Sequence, residues 1–157
     1  MFEMTLVVLI IGIMGAVLIP LMGNNLNYSR LPTAANVLAA DIEFCSSECI
    51  THPTNPPSRQ IVFDVDNNKY TIQDASGNTI THPSDSLPYV NDFSTGRNLR
   101  FEGVSIRQIT GGGAILTFDA YGRPLITEDM AIQLQYTTST MTVTIQKGTG
   151  ETTITSP

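Results

Sequence analysis

Cys45 and Cys49 stand four residues apart in EFCSSECI. On a helix that spacing puts both sulfurs on one face, as two soft donors. A structural zinc site needs about four ligands, and the chain holds no third cysteine. A disulfide at this spacing is strained against ordinary bridge geometry. His52 follows closely, but Pro53 and the helix end should turn it away. The pair therefore reads as small, apolar packing residues, with a metal or redox role as the alternative. Ile-Thr-His-Pro occurs twice, at 50–53 and 80–83. Two histidines invite metal or acid–base chemistry, yet both stand before proline-rich loops, where turn chemistry accounts for them. Asp64-Val65-Asp66-Asn67-Asn68 opens like a calcium loop but has Lys69 where glycine belongs and Ala75 where the closing glutamate belongs. Gly111 to Gly113 lacks a following Lys-Ser/Thr, so it is no phosphate cradle. Serine, histidine and aspartate occur without a G-x-S-x-G turn. The sequence thus offers no catalytic constellation. The chain reads as a non-enzyme, with no cofactor and no metal expected.

One acidic residue is out of keeping with its surroundings. The chain begins MFEMTLVVLIIGIMGAVLIPLMG, and Glu3 precedes an apolar run. Residues 4–22 reach about 28 Å as a helix, enough for a short membrane span. A cleaved signal peptide is the competitor, but the basic leader and a small-x-small cleavage site are both missing. Gly12, Gly15 and Ala16 are small enough to let membrane helices approach closely, although glycine is also common in such helices. Pro20 should kink the helix. A carboxylate there costs free energy unless it has a partner. The plain alternative is an acid sitting favourably at a helix N-terminus.

The elements that must position these residues follow in order. In SRLPTAANVLAADIEFCSSECI, residues 29–50, Leu31, Ala35, Leu38, Ile42, Cys45 and Cys49 are spaced 4, 3, 4, 3, 4, one face of a helix. Ser29 can cap it and Pro32 is tolerated in its first turn. THPTNPP ends it. From residue 58 onward the chain reads as strand. Ile61, Phe63 and Val65 alternate, Asp66 to Lys69 turns, and Tyr70 and Ile72 return. Ser76-Gly77-Asn78 turns again, and 81–98 is long and irregular. Arg100 to Ile109 is a strand bulged at Gly103, Ala114 to Asp119 another, and Tyr121 to Pro124 a turn. Ile132, Leu134 and Tyr136 alternate, as do Met141, Val143 and Ile145, and Lys147 to Gly150 turns into a short last strand. The expected class is α+β. A membrane segment over 1–28 leads into a domain over 29–157, one amphipathic helix covering one face of an antiparallel sheet.

This arrangement resembles the type IV pilin and pseudopilin superfamily. Glu3 lies nine residues before Gly12, and Gly12 eight before Pro20, as in that family. LAADIEFCSSECI resembles the helix of the GspH/FimT-type minor pseudopilins. IVFD, LTFDAYGRP, AIQLQ and TVTIQKGTG resemble that family's sheet in their order. The resemblance implies that Glu3 neutralises the N-terminal amine of a neighbouring subunit, a pairing strong in a low-dielectric place. It implies a single-pass inner-membrane protein with its C-terminal domain in the periplasm, assembled into a periplasmic fibre. Its partners would be other pilin or pseudopilin subunits and the inner-membrane assembly platform, with secreted cargo as a further contact. Family members carry a basic leader ending in glycine, cleaved before an N-methylated residue. None precedes Glu3 here, so the start is expected to be truncated, misassigned or trimmed. Arg30 alone would put the C-terminal domain in the cytoplasm by the positive-inside rule; the missing leader would reverse that.

The leading expectation is a structural minor pseudopilin of a type II secretion system or type IV pilus. A FimT-like DNA-uptake module is the alternative, through Arg97, Arg100, Arg107 and Arg123. The formal net charge of −6 argues against gripping nucleic acid. A membrane-anchored β domain with another ligand is the third reading.

Overall fold

The computed structural model describes residues 7, 29–54, 57–93 and 101–156. Glu3, Gly12, Gly15 and Pro20 lie outside the described residues, as does the proposed span 4–22 apart from Val7. Arg97 and Arg100 lie outside them too. Among the described residues no helix is long and apolar enough to cross a membrane.

Residues 29–51 are helical and form α1. Leu31, Ala35, Leu38, Ile42, Cys45 and Cys49 are all buried on one side of it. Asn36, Ala40, Glu43 and Ser47 are exposed on the other. Among the described residues the chain then makes two sheets, each of four strands. The first contains β1 (Arg59–Asp64), β2 (Lys69–Asp74), β3 (Val90–Asp92) and β5 (Ile115–Thr117), in the order β3-β2-β1-β5. The second contains β4 (Val104–Thr110), β6 (Met130–Tyr136), β7 (Ser139–Ile145) and β8 (Thr152–Thr155), in the order β4-β6-β7-β8. All six strand pairs are antiparallel. Alternation decides the faces. Ile61, Phe63, Tyr70 and Ile72 of the first sheet share one buried core with Ile106, Ile132, Leu134, Val143 and Ile145 of the second and with the apolar face of α1.

This corrects the expectation of one sheet. Strand periodicity fixes which side chain faces inward, but it carries no information on which strand lies alongside. Three local readings shift as well. The β1–β2 turn occupies 65–68, with Lys69 already in β2. The bulge in β4 falls between Ile106 and Gln108, at Arg107, while Gly103 precedes the strand. The irregular stretch 81–98 contains β3, and β5 is shorter than Ala114 to Asp119.

Three turns share one device. Asp64 accepts the Asn67 backbone N–H at 3.1 Å. Asp74 accepts those of Ser76 and Asn78 at 2.8 and 2.9 Å. Asp119 accepts those of Tyr121 and Arg123, both at 2.9 Å. Each is an Asx-type turn in which a carboxylate satisfies backbone donors. The Asn67 side chain at Asp64 and the Asn78 backbone N–H at Asp74 hold those carboxyl groups below the usual range. At Asp119 partial desolvation opposes the same effect, and the Arg123 and Tyr121 N–H groups outweigh it. A depressed carboxylate pKa adds stability that is present above the unfolded value, 3.8, and is lost as pH falls through the folded one. The urea midpoint of unfolding should therefore fall as pH drops below 3.8, and Asp74→Asn should flatten that slope.

Candidate functional site

Few polar groups are buried, and one cluster gathers around Asp41. Asp41 lies on α1 between Leu38 and Ile42 and is only 7% exposed. Its carboxylate accepts the Tyr70 hydroxyl at 2.7 Å and the Tyr89 hydroxyl at 2.8 Å. The Asn91 side-chain amide donates both to Asp41 and, at 2.9 Å, to the Tyr70 hydroxyl oxygen. Tyr70 is on β2, Asn91 on β3, and Tyr89 just before β3. One carboxylate thus ties α1 to the far side of the first sheet. Burial, and then the Asp41 charge, push the Tyr70 phenol well above its ordinary pKa, so it remains a donor. Phe44 stacks on the Tyr89 ring at 5.6 Å between centroids, one turn along from Asp41.

The two ends of α1 have their own fastenings. At the start of the described helix the Arg30 guanidinium donates to the Glu102 carbonyl at 2.7 Å and sits 5.7 Å from the Tyr136 ring centroid. That links α1 to the second sheet by a charged hydrogen bond and a cation–π contact. Towards the other end, Ser46 donates to the Gly122 carbonyl at 2.9 Å, and Glu48 meets Arg59 at 3.2 Å. Arg59 also donates to the Ser58 carbonyl at 2.8 Å. His52, expected to turn away, lies 3.8 Å from Glu48 and lines an open polar groove with Thr54, Ser58, Arg59, Asp74 and Ser76.

Cys45 and Cys49 are free, buried thiols at this end of α1. Among the described residues no group of three or more histidine, cysteine or acidic side chains could hold a metal ion. The hydrogen bond between the thiols divides their pKa values. The Cys45 thiol brings Cys49 down against burial, with help from Ser58, while Cys45 is pushed up by the same bond. Absorbance of the thiolate should therefore show one thiol titrating below the ordinary range in the native protein. Cys45→Ala should move it back towards the ordinary thiol range. A single step at the ordinary value in the unchanged protein would show that the two sulfurs are not coupled.

The second histidine completes a Ser-His-Asp trio in one loop. Ser84 Oγ is 2.9 Å from His82 Nδ1, and Asp85 is 3.7 Å from the same nitrogen. A catalytic triad needs serine and aspartate on opposite ring nitrogens. Here both crowd Nδ1, which also accepts the Ser84 backbone N–H at 3.2 Å. The His82 ring instead rests against Tyr89, 4.3 Å between centroids. The trio shapes a turn. The two described arginines of the DNA reading are both engaged. Arg107 donates to Gln135 at 3.4 Å, and Arg123 pairs with Asp119 at 2.9 Å.

Asp41, Tyr70, Tyr89 and Asn91 were not picked out from the sequence. One signal was present: Asp41 falls three residues after Leu38 and four before Cys45, on the buried stripe. Its partners lie 29, 48 and 50 residues away, and nothing local marks them.

No family model matches the chain, and no curated protein matches it. Among solved structures it is similar to the minor pseudopilin EpsH from the type 2 secretion system of Vibrio cholerae. The two are 14% identical, with a TM-score of 0.57, and the match covers 82% of this chain and 98% of that one. At that identity the likeness is one of fold: this chain has the pseudopilin arrangement of one helix packed on antiparallel sheets.

Proposed function

We propose that the protein is a structural minor pseudopilin, a subunit of a type II secretion pseudopilus or type IV pilus. The observation that carries this reading is the fold likeness, which spans 98% of the pseudopilin EpsH. The N-terminal segment adds to it, with Glu3, Gly12 and Pro20 at the superfamily's spacing. In this reading residues 4–22 sit in the inner membrane and then in the fibre core. Glu3 pairs with the N-terminal amine of a neighbouring subunit, where an unpaired charge would be costly. The β domain stands in the periplasm and meets other subunits, the assembly platform at the fibre base, or cargo. The face Leu31, Ala35, Leu38, Ile42, Cys45 and Cys49 fixes that domain rigidly to the helix, so movement of the helix carries the sheets with it. The protein does this work by packing, without catalysis.

The test is mass spectrometry of the N-terminus of the protein produced from its full genomic locus in its own host. A trimmed, N-methylated end a few residues upstream of Glu3 is the expected result. An unprocessed Met1 would overturn the fibre reading.

A further inference from the structure

We propose that β8 is the seam of a symmetric dimer of this chain, two copies of Thr152–Thr155 pairing antiparallel into one continuous sheet. The inference stands on the sheet edges and is independent of the fibre reading.

A sheet edge exposes unpaired backbone groups unless something blunts it. Among the described residues, three of the four edges are blunted. β3 is only three residues long. β5 is covered by the returning chain, where Leu125 N–H donates to the Thr117 carbonyl at 2.9 Å. β4 is bulged at Arg107, and its Ile106 N–H is taken by the Asn68 side chain at 3.2 Å. β8 reads TTIT, with no charge, proline or bulge.

The hydrogen-bond phase of β8 says which groups are open. Gln146 N–H donates to the Glu151 carbonyl at 2.9 Å. Antiparallel pairs alternate between bonded and non-bonded. Thr153 and Thr155 therefore exchange bonds with Thr144 and Thr142, their register partners. Thr152 and Ile154 turn their N–H and C=O groups to the open side. Their side chains lie opposite Ile145 and Val143, both buried, and Ile154 packs half-buried at the margin of the core.

A second copy fits that edge. A twofold axis at Thr153 sets Thr152 opposite Ile154 of the other copy and Ile154 opposite its Thr152. All four open groups then pair, and Ile154 of each copy packs against Thr152 of the other along the core margin. Thr153 faces its own counterpart on the outer surface, in a non-bonded pair. Glu151 falls opposite Thr155, so no like charges are opposed.

That register sets the test. The full chain, purified in detergent, is made as Thr153→Cys and oxidised mildly with copper phenanthroline. A non-reducing gel should show a band at twice the chain mass, because non-bonded antiparallel pairs bring side chains within disulfide reach. The unchanged chain, with Cys45 and Cys49 buried, should show none. Thr155→Cys faces Glu151 of the other copy and should cross-link at least tenfold less. Adding Thr152→Pro to Thr153→Cys removes one open N–H, leaves the β7–β8 ladder intact, and should abolish the band. Equal cross-linking from positions 153 and 155, or none from 153, overturns the proposal. So does hydrogen-exchange protection of the Thr152 and Ile154 amides that arises only when other proteins are added, since another strand would then be the occupant.

Discussion

Replacing Asp41 with alanine is expected to lower the unfolding free energy by about 3–5 kcal/mol, each buried donor left without an acceptor costing about 1–3 kcal/mol. Three donors lose their acceptor together: the Tyr70 and Tyr89 hydroxyls and the Asn91 amide. The Asn91–Tyr70 bond survives and softens the loss. Asp41→Asn should do less harm, about 1–2 kcal/mol, because one side-chain oxygen can still accept. Tyr70→Phe removes one donor and should cost about 1 kcal/mol. The order Ala, Asn, Phe is the discriminating result, read from urea unfolding followed by tyrosine near-UV circular dichroism. If Asp41→Ala were as stable as the unchanged protein, the carboxylate would not be holding α1 to the first sheet.

Gly111→Ala should be at least as damaging. Gly111 has φ of 73°, and a Cβ there would lie 1.8 Å from the Asp129 carbonyl oxygen and 2.7 Å from its carbon. Neither atom belongs to a flexible side chain, so backbone must move, at the point where β4 gives way to β5 and the chain later enters β6. A loss of about 4 kcal/mol or more follows, in the range reserved for gross steric conflict. Gly77→Ala is the internal comparison. Its φ is 83°, but nothing lies within 4 Å of the added Cβ. Only the left-handed conformation is penalised there, at about 1–2 kcal/mol. Gly122 falls between, since its Cβ would meet the movable side chains of Ile50 and Ser46 at 2.6 and 2.7 Å. Measured unfolding free energies in the order Gly111, Gly122, Gly77 would separate collision from conformation. Equal losses at 111 and 77 would mean that the Asp129 carbonyl yields.

What was legible in the sequence was periodic. The 4, 3, 4, 3, 4 spacing of α1 identified a face that is buried from Leu31 to Cys49. The two-residue alternation of β1, β2, β6 and β7 identified their inward residues. What was hidden depended on distant partners. Asp41 carries a charge that argues for the surface when read alone, and only Tyr70, Tyr89 and Asn91 make its burial tolerable. The partition into two sheets was hidden for a related reason: β1 pairs with β5, more than fifty residues on, and alternation is blind to that choice. The β4 bulge escaped because Gly103, with its positive φ, is the better local suspect, whereas the extra residue that breaks register is Arg107.

The path of the chain between the sheets bears on how it folds. After β4 the backbone leaves the second sheet, contributes β5 to the first, and returns as β6 beside β4. Each sheet is thus closed by a strand whose neighbours in sequence belong to the other. Neither can be completed early and left waiting, so a stable half-folded form has no obvious composition. Unfolding should be all-or-none, with calorimetric and van't Hoff enthalpies in agreement. The distant pairings should make refolding slow relative to helical domains of similar length. Such a domain is presented to any partner either whole or not at all.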